Sequence, residues 1–312
     1  MKIAIFGSGG VGGYFGGRLA QAGEEVVFIA RGAHLQALQR DGLRVESING
    51  DFVLPAVQAT DDPASVGTVD LVLLGVKAWQ VAEAAAAMRP LVGEKTAVLP
   101  LQNGIDAPAQ LAAVLGSAPV LGGLCAIMSY VVAPGHIRHA GIDPLIQLGE
   151  LDNTPSERTA AIRDLLDKPG ITALRPADIQ VAMWQKFLFI AALSGVGAVT
   201  RVPMGVFRTV PQTRALLEGV LQEGLAVGLA HGVALPPDTV ARTLARIDGL
   251  PPQGTASMQR DVMEKRPSEL EAQTGAIVRL GQQLGIPTPV NSFIYASLLP
   301  QETAARENDS AQ

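Results

Sequence analysis

A single cysteine, Cys125, rules out an intrachain disulfide framework, and its apolar neighbours Leu124, Ala126 and Ile127 predict a buried strand position with no chemistry of its own. Charge is sparse: 17% of the 312 residues are Asp, Glu, Lys or Arg, and the formal net charge is −5. Such a chain lacks the broad positive field that draws nucleic acid or an anionic bilayer, so no nucleic acid and no membrane partner is expected. The longest apolar run, around Phe187 to Val199, falls short of the roughly 18 to 20 residues that span a bilayer and reads as a buried helix. The N-terminus, Lys2-Ile3-Ala4-Ile5-Phe6, runs into glycines rather than the long apolar stretch of a signal peptide, and a cytoplasmic location is expected. His136 and His139 lie three apart on a predicted strand and would point to opposite faces, with no third ligand near, so no metal site is expected.

Apolar residues make up 48% of the chain, which suits a compact protein, and its length exceeds the roughly 250 to 300 residues at which single cores stop growing. Two domains follow. The first half reads strand Lys2 to Phe6, helix Val11 to Ala22, strand Glu25 to Ala30, helix Ala33 to Arg40. Further strands at Asp70 to Gly75 and Thr96 to Leu101 each precede an alanine-rich helix. This βαβ order predicts an α/β fold with a mostly parallel sheet covered by helices. Leu43 to Ile48 and Phe52 to Pro55 flank Asn49-Gly50, a tight-hairpin pair read as a small decoration, and Val120 to Leu148 reads as an antiparallel extension of the sheet. From Ile179 the strand signal gives way to helices at Ile179 to Ala198, Thr213 to Ala230, Pro237 to Ile247 and Glu269 to Leu284. The boundary is placed at Pro176, giving a dinucleotide-binding domain over 1–176 and an all-helical domain over 177–312. The polar segment after Pro300 is expected to fray and to play no part in function. Apolar helical surface in the second domain leaves room for a homodimer.

Gly7-Ser8-Gly9-Gly10-Val11-Gly12 fits G-x-G-x-x-G in the context that gives the pattern meaning, after a predicted strand and at the start of a predicted helix. Gly7 permits the tight turn, Gly9 the approach of backbone to a pyrophosphate, and Gly12 the close packing of helix on strand, with phosphate facing the helix N-terminus. At the end of the second strand no carboxylate waits for the ribose hydroxyls of NAD. Arg31 stands there instead, about 20 residues past the glycines, suited to the 2′-phosphate of NADP. NADPH is the expected cofactor.

Lys186 falls in a helix that is apolar nearly all round, so it either snorkels to solvent or sits at an internal cleft where it can exchange a proton. Asn103 follows the strand Thr96 to Leu101 at the carboxyl edge of the sheet, as a ligand contact or as a helix N-cap. Lys77 has the same placement after Asp70 to Gly75. Ser268 and Glu271 have the spacing of a capping box at the start of the last long helix; capping does not explain Glu269 between them, which is either a site residue or an acid favoured in the first turn by the helix dipole.

Taken together, the glycine motif, Arg31, Gly75-Val76-Lys77-Ala78, Leu101-Gln102-Asn103-Gly104, Lys186, Ser257 and Glu269 resemble the ketopantoate reductase family across nearly the whole chain. The resemblance implies a Rossmann-type domain followed by a helical domain of the 6-phosphogluconate-dehydrogenase-like kind. It also implies reduction of 2-dehydropantoate, a small 2-oxo acid, to pantoate by NADPH on the route to coenzyme A. By the same resemblance Lys186 polarises the ketone and protonates the alkoxide, Glu269 orients substrate, Ser257 helps bind its carboxylate, and Lys77 and Asn103 contact cofactor or substrate. The sequence departs from the family one and two turns after the lysine, where substrate-facing asparagines are common and Ile190 and Ser194 stand here. Ser194 remains a candidate substrate contact. A paralogue acting on another 2-oxo acid or ketone, and a non-catalytic NADPH-binding redox sensor, are the alternatives.

Overall fold

The computed structural model describes residues 1–310 and divides the chain into two compact units. One comprises Met1–Gln102 and Ala107–Ile179, the other Asn103–Asp106 and Gln180–Gln312.

In the first unit, β1 (Lys2–Phe6), β2 (Glu25–Ile29), β5 (Gln58–Thr60), β6 (Leu71–Leu74) and β7 (Ala97–Pro100) form a wholly parallel sheet ordered β5-β2-β1-β6-β7. Helices α1 (Gly10–Gln21), α2 (Gly32–Asp41), α3 (Val81–Ala87) and α4 (Ala107–Leu115) connect or follow these strands. Strands buried on both faces need continuous apolar runs, and Ile3, Ala4, Ile5, Leu71, Val72, Leu73 and Leu74 are all fully buried. The order reverses direction between β1 and β6, so the carboxyl ends of these two strands form the switch point at which open α/β sheets bind ligands.

Two expectations for this half change. Residues 120–148 do not extend the parallel sheet. β8 (Gly122–Ala133) pairs antiparallel with β9 (His136–Gly149) in a second sheet, β10-β9-β3-β4, which also holds β3 (Leu43–Ser47), β4 (Phe52–Leu54) and β10 (Thr172–Leu174). One isolated bridge, Val98 to Val120, joins it to the first. The Asn49-Gly50 hairpin is present, with Gly50 at φ +97°, but it is no decoration, because β3 is an inner strand between β9 and β4. Helix α5 (Glu157–Asp167) leads to β10. Among the described residues there is no group of side chains suited to a metal ion; the His139 ring is held by the Ser47 hydroxyl and the Ile142 carbonyl.

The second unit is helical: α6 (Ile179–Thr200), α7 (Met204–Phe207), α8 (Pro211–Ala230), α9 (Thr239–Asp248), α10 (Ser257–Met263), a π turn at Glu271–Gly275 running into α11 (Ala276–Leu284), and α12 (Pro289–Ser310). By length and composition α6 could cross a membrane, yet 72% of its most apolar window is buried, which makes it the central helix of this core. The expectation for the polar tail is overturned. Residues 301–310 continue α12, and Glu302 and Ala305 are buried, because an acid and a base one turn apart satisfy each other and a neighbouring backbone. Ala311 and Gln312, the end of that tail, lie outside the described residues.

Candidate active site

The glycine loop is fixed by approaches that only a hydrogen side chain permits. Gly7 has φ +91°, and a Cβ on Gly12 would stand 2.1 Å from the Gly7 carbonyl oxygen. Gly10 serves another neighbour: its Cβ would meet the Ser129 carbonyl at 2.5 Å, so β8 passes directly over the first turn of α1. At Gly9 a Cβ would meet nothing within 4 Å, so the N-terminus of α1 faces open space. No side chain caps it, and no acid occupies its first turn. The amides of Gly10, Val11 and Gly12 therefore lack an intrahelical acceptor at the positive end of the helix dipole, which suits a phosphate. Ser8 adds a buried hydroxyl with no partner among the described residues. Behind the loop, His34 accepts a hydrogen bond from the Gly135 amide, and burial pushes its pKa down against the opposing pull of the Ser8 backbone. These features fit a dinucleotide pyrophosphate.

Arg31 precedes α2 at the end of β2 and pairs with Glu83 at 2.9 Å. Both side chains are about two-thirds exposed, at 68% and 65%, so the pair is worth little and can yield to a phosphate. Lys77 is exposed after β6, with its Nζ 5.6 Å from the centroid of the Trp79 ring. Gln102, which has no role assigned from sequence, donates from its buried amide to the carbonyls of Leu74 (2.8 Å) and Val76 (3.0 Å) and so fixes the segment carrying Lys77. Its place inside the Leu-Gln-Asn-Gly motif was the available signal.

In the second unit the Asn103 amide donates to Glu269 Oε2 at 2.9 Å, across 166 positions of sequence. Asn103 is thus not the cap of α4, which begins four residues later. Glu269 is 7% exposed, and the Gln273 amide, one turn on, approaches the same carboxylate oxygen at 3.4 Å. Gln273 was missed because it lies in the π turn, where one extra residue breaks the 3.6-residue periodicity. The capping box is absent. The Ser268 amide and hydroxyl bind the carboxylate of Glu302, and Glu271 accepts from the Tyr295 hydroxyl at 2.7 Å. Arg306 closes this arrangement with 2.9 Å to the Ser268 carbonyl and 2.7 Å to Glu302. The excluded tail therefore anchors the residue next to Glu269.

Along α6, Ala182, Lys186 and Ile190 share a face at four-residue spacing and are half-buried, whereas Ser194, next on that face, is wholly buried with an unpartnered hydroxyl. The Lys186 ammonium makes no hydrogen bond or ion pair among the described residues. Ser257 is exposed at the first position of α10.

Two family models match the chain: "Ketopantoate reductase PanE/ApbA" over residues 3–153 and "Ketopantoate reductase PanE/ApbA C terminal" over 178–302. The 2-dehydropantoate 2-reductase of Nostoc sp. (strain PCC 7120) is 30% identical over 302 residues, covering 95% of this chain and 94% of its own length. The uncharacterized oxidoreductase YkpB of Bacillus subtilis (strain 168) is 27% identical over 300 residues, covering 96% and 98%. The crystal structure of a PanE/ApbA family ketopantoate reductase from Ralstonia eutropha JMP134 superposes with a TM-score of 0.88 at 34% identity, covering 98% of this chain and all of that one.

Proposed function

Since the chain belongs to the ketopantoate reductase family, a family of NADPH-dependent oxidoreductases acting on CH–OH groups, we propose that it reduces 2-dehydropantoate to pantoate in the cytoplasm, on the route to pantothenate and coenzyme A. NADP(H) is its cofactor and supplies the hydride; the protein supplies everything else. The amides of Gly10, Val11 and Gly12, with Gly7, Ser8 and Gly9 shaping the turn, hold the pyrophosphate. Arg31 exchanges Glu83 for the 2′-phosphate. Lys77 contacts the cofactor from the end of β6. Lys186 hydrogen-bonds the ketone oxygen and gives its proton to the alkoxide as hydride reaches the carbon, so that the ketone gains one hydride and one proton. Glu269 orients the substrate, Asn103, hydrogen-bonded to Glu269, contacts substrate or cofactor, and Ser257 receives the substrate carboxylate.

The observation that carries this reading is the 2.9 Å contact between Asn103 and Glu269, two residues that the family resemblance singles out and that lie 166 positions apart in sequence. Ile190 favours a second reading. One turn past Lys186, on the same half-buried face, it offers an apolar surface, which fits a 2-oxo acid or ketone with a less polar substituent. The test is NADPH oxidation, followed spectrophotometrically, with 2-dehydropantoate beside a panel of alkyl and aryl 2-oxo acids. Saturable turnover with 2-dehydropantoate supports the first reading. Turnover confined to less polar ketones selects the second, and silence with every 2-oxo acid removes both.

A further inference from the structure

Residues 103–106 interrupt the stretch of chain that builds the first compact unit but belong to the second, and each of the four is fastened there. Asn103 donates to Glu269. Gly104, at φ +100°, lies so close to the Ala272 carbonyl that a Cβ would stand 2.7 Å from it. Ile105 packs against the apolar core of the second unit. Asp106 accepts from the Arg279 guanidinium of α11 at 2.5 Å.

We propose that the Asp106–Arg279 ion pair is a latch that positions Asn103, and through it Glu269, for the reduction. The inference rests on the proposed reading of Glu269 as the substrate-orienting carboxylate. Neither latch residue touches the Glu269 carboxylate; they act by fixing the far end of a four-residue segment whose near end does. Fixing both ends of so short a segment leaves the Asn103 amide little freedom, and a site held this way loses rate steeply when it loosens. The pair is a poor source of stability. Burial pushes the Asp106 carboxyl up in spite of Arg279, with Glu271 adding to that rise and His231 opposing it. Desolvation offsets much of the attraction in a half-buried pair, so the fastening of the segment at both its ends is the stronger reason for the pair than stability.

The test is a set of variants of the full-length protein assayed for kcat, KM and NADPH affinity, with thermal unfolding followed alongside. Asp106→Asn and Arg279→Met are each expected to lower kcat by up to about 100-fold, leaving NADPH affinity unchanged. The charge swap, Asp106→Arg with Arg279→Asp, should recover part of the loss. In an Asn103→Ala background Asp106→Asn should cost little more, since both act on one element. Wild-type kcat in the single variants, no recovery in the swap, or full additivity with Asn103→Ala would each overturn the latch. Should Arg279→Met fail to fold, Arg279→Gln removes the charge while keeping a hydrogen-bond donor, and a kcat equal to wild type there counts against the proposal. Full turnover in Glu269→Gln and Asn103→Ala would instead show that the underlying reading of Glu269 is wrong.

Discussion

Glu302 holds Ser268, through its backbone amide at 3.0 Å and its hydroxyl at 2.5 Å, and so fixes the start of the segment that carries Glu269. The carboxylate is 6% exposed and is paired in turn with Arg306. Replacing Glu302 by alanine leaves a buried amide and hydroxyl without an acceptor. Each such group costs about 1–3 kcal/mol, so urea unfolding should show a loss of at least that size, together with a lower kcat. Unaltered stability would mean that water replaces the carboxylate at no cost.

Arg31 governs the choice of dinucleotide. A charge-assisted hydrogen bond is worth about 1.5–3 kcal/mol, so Arg31→Ala should weaken NADPH binding by about 10- to 150-fold and leave NADH nearly untouched. Glu83 competes with the 2′-phosphate for the same guanidinium, and Glu83→Ala should tighten NADPH binding modestly. Isothermal titration with both dinucleotides reads each effect. Equal losses for NADPH and NADH in Arg31→Ala would remove the arginine from the phosphate site.

Gly10 separates packing from ligand binding in the glycine motif. An alanine there would drive a Cβ to 2.5 Å from the Ser129 carbonyl and 2.8 Å from the Tyr130 Cα. Both are backbone atoms of a paired strand and cannot step aside cheaply, so Gly10→Ala should lower the melting temperature. At Gly9, where a Cβ meets no protein atom, alanine should leave the melting temperature of the free protein near wild type and weaken NADPH binding. The reverse pattern would place the cofactor elsewhere.

Asp106 has a pH signature in stability. Its carboxyl is raised above the usual 3.8 mainly by burial, so the folded protein takes up that proton at a higher pH than the unfolded chain does. Stability contributed through this group is present below the unfolded value and lost as pH rises through the folded one. Relative to Asp106→Asn, the wild type should gain stability as pH falls from neutrality toward 3.8, in denaturant titrations at a series of pH values. A relative loss on acidification would mean that pairing with Arg279 outweighs burial.

The parts of this protein that were legible in the sequence are those whose signal is local. The βαβ order, the glycine motif with its flanking strand and helix, and the Asn49-Gly50 turn are written in consecutive residues. A second sheet was not legible, because β3, β9 and β10 find one another across long stretches of chain and β10 has only three residues. The contact between Asn103 and Glu269 lies beyond any window of periodicity. Residues 301–310 misled for a different reason: Glu302 and Arg306 look like solvated charges in sequence, and only the fold shows that they are spent on each other and on Ser268.

The most direct test of the central claim is Lys186→Ala, assayed for turnover with the best 2-oxo acid of the panel and, separately, for NADPH binding by fluorescence. Loss of a general acid is expected to cut kcat by about 100- to 10,000-fold while NADPH binds as in the wild type. Turnover that survives the substitution would contradict the account, because no other residue in it delivers the proton.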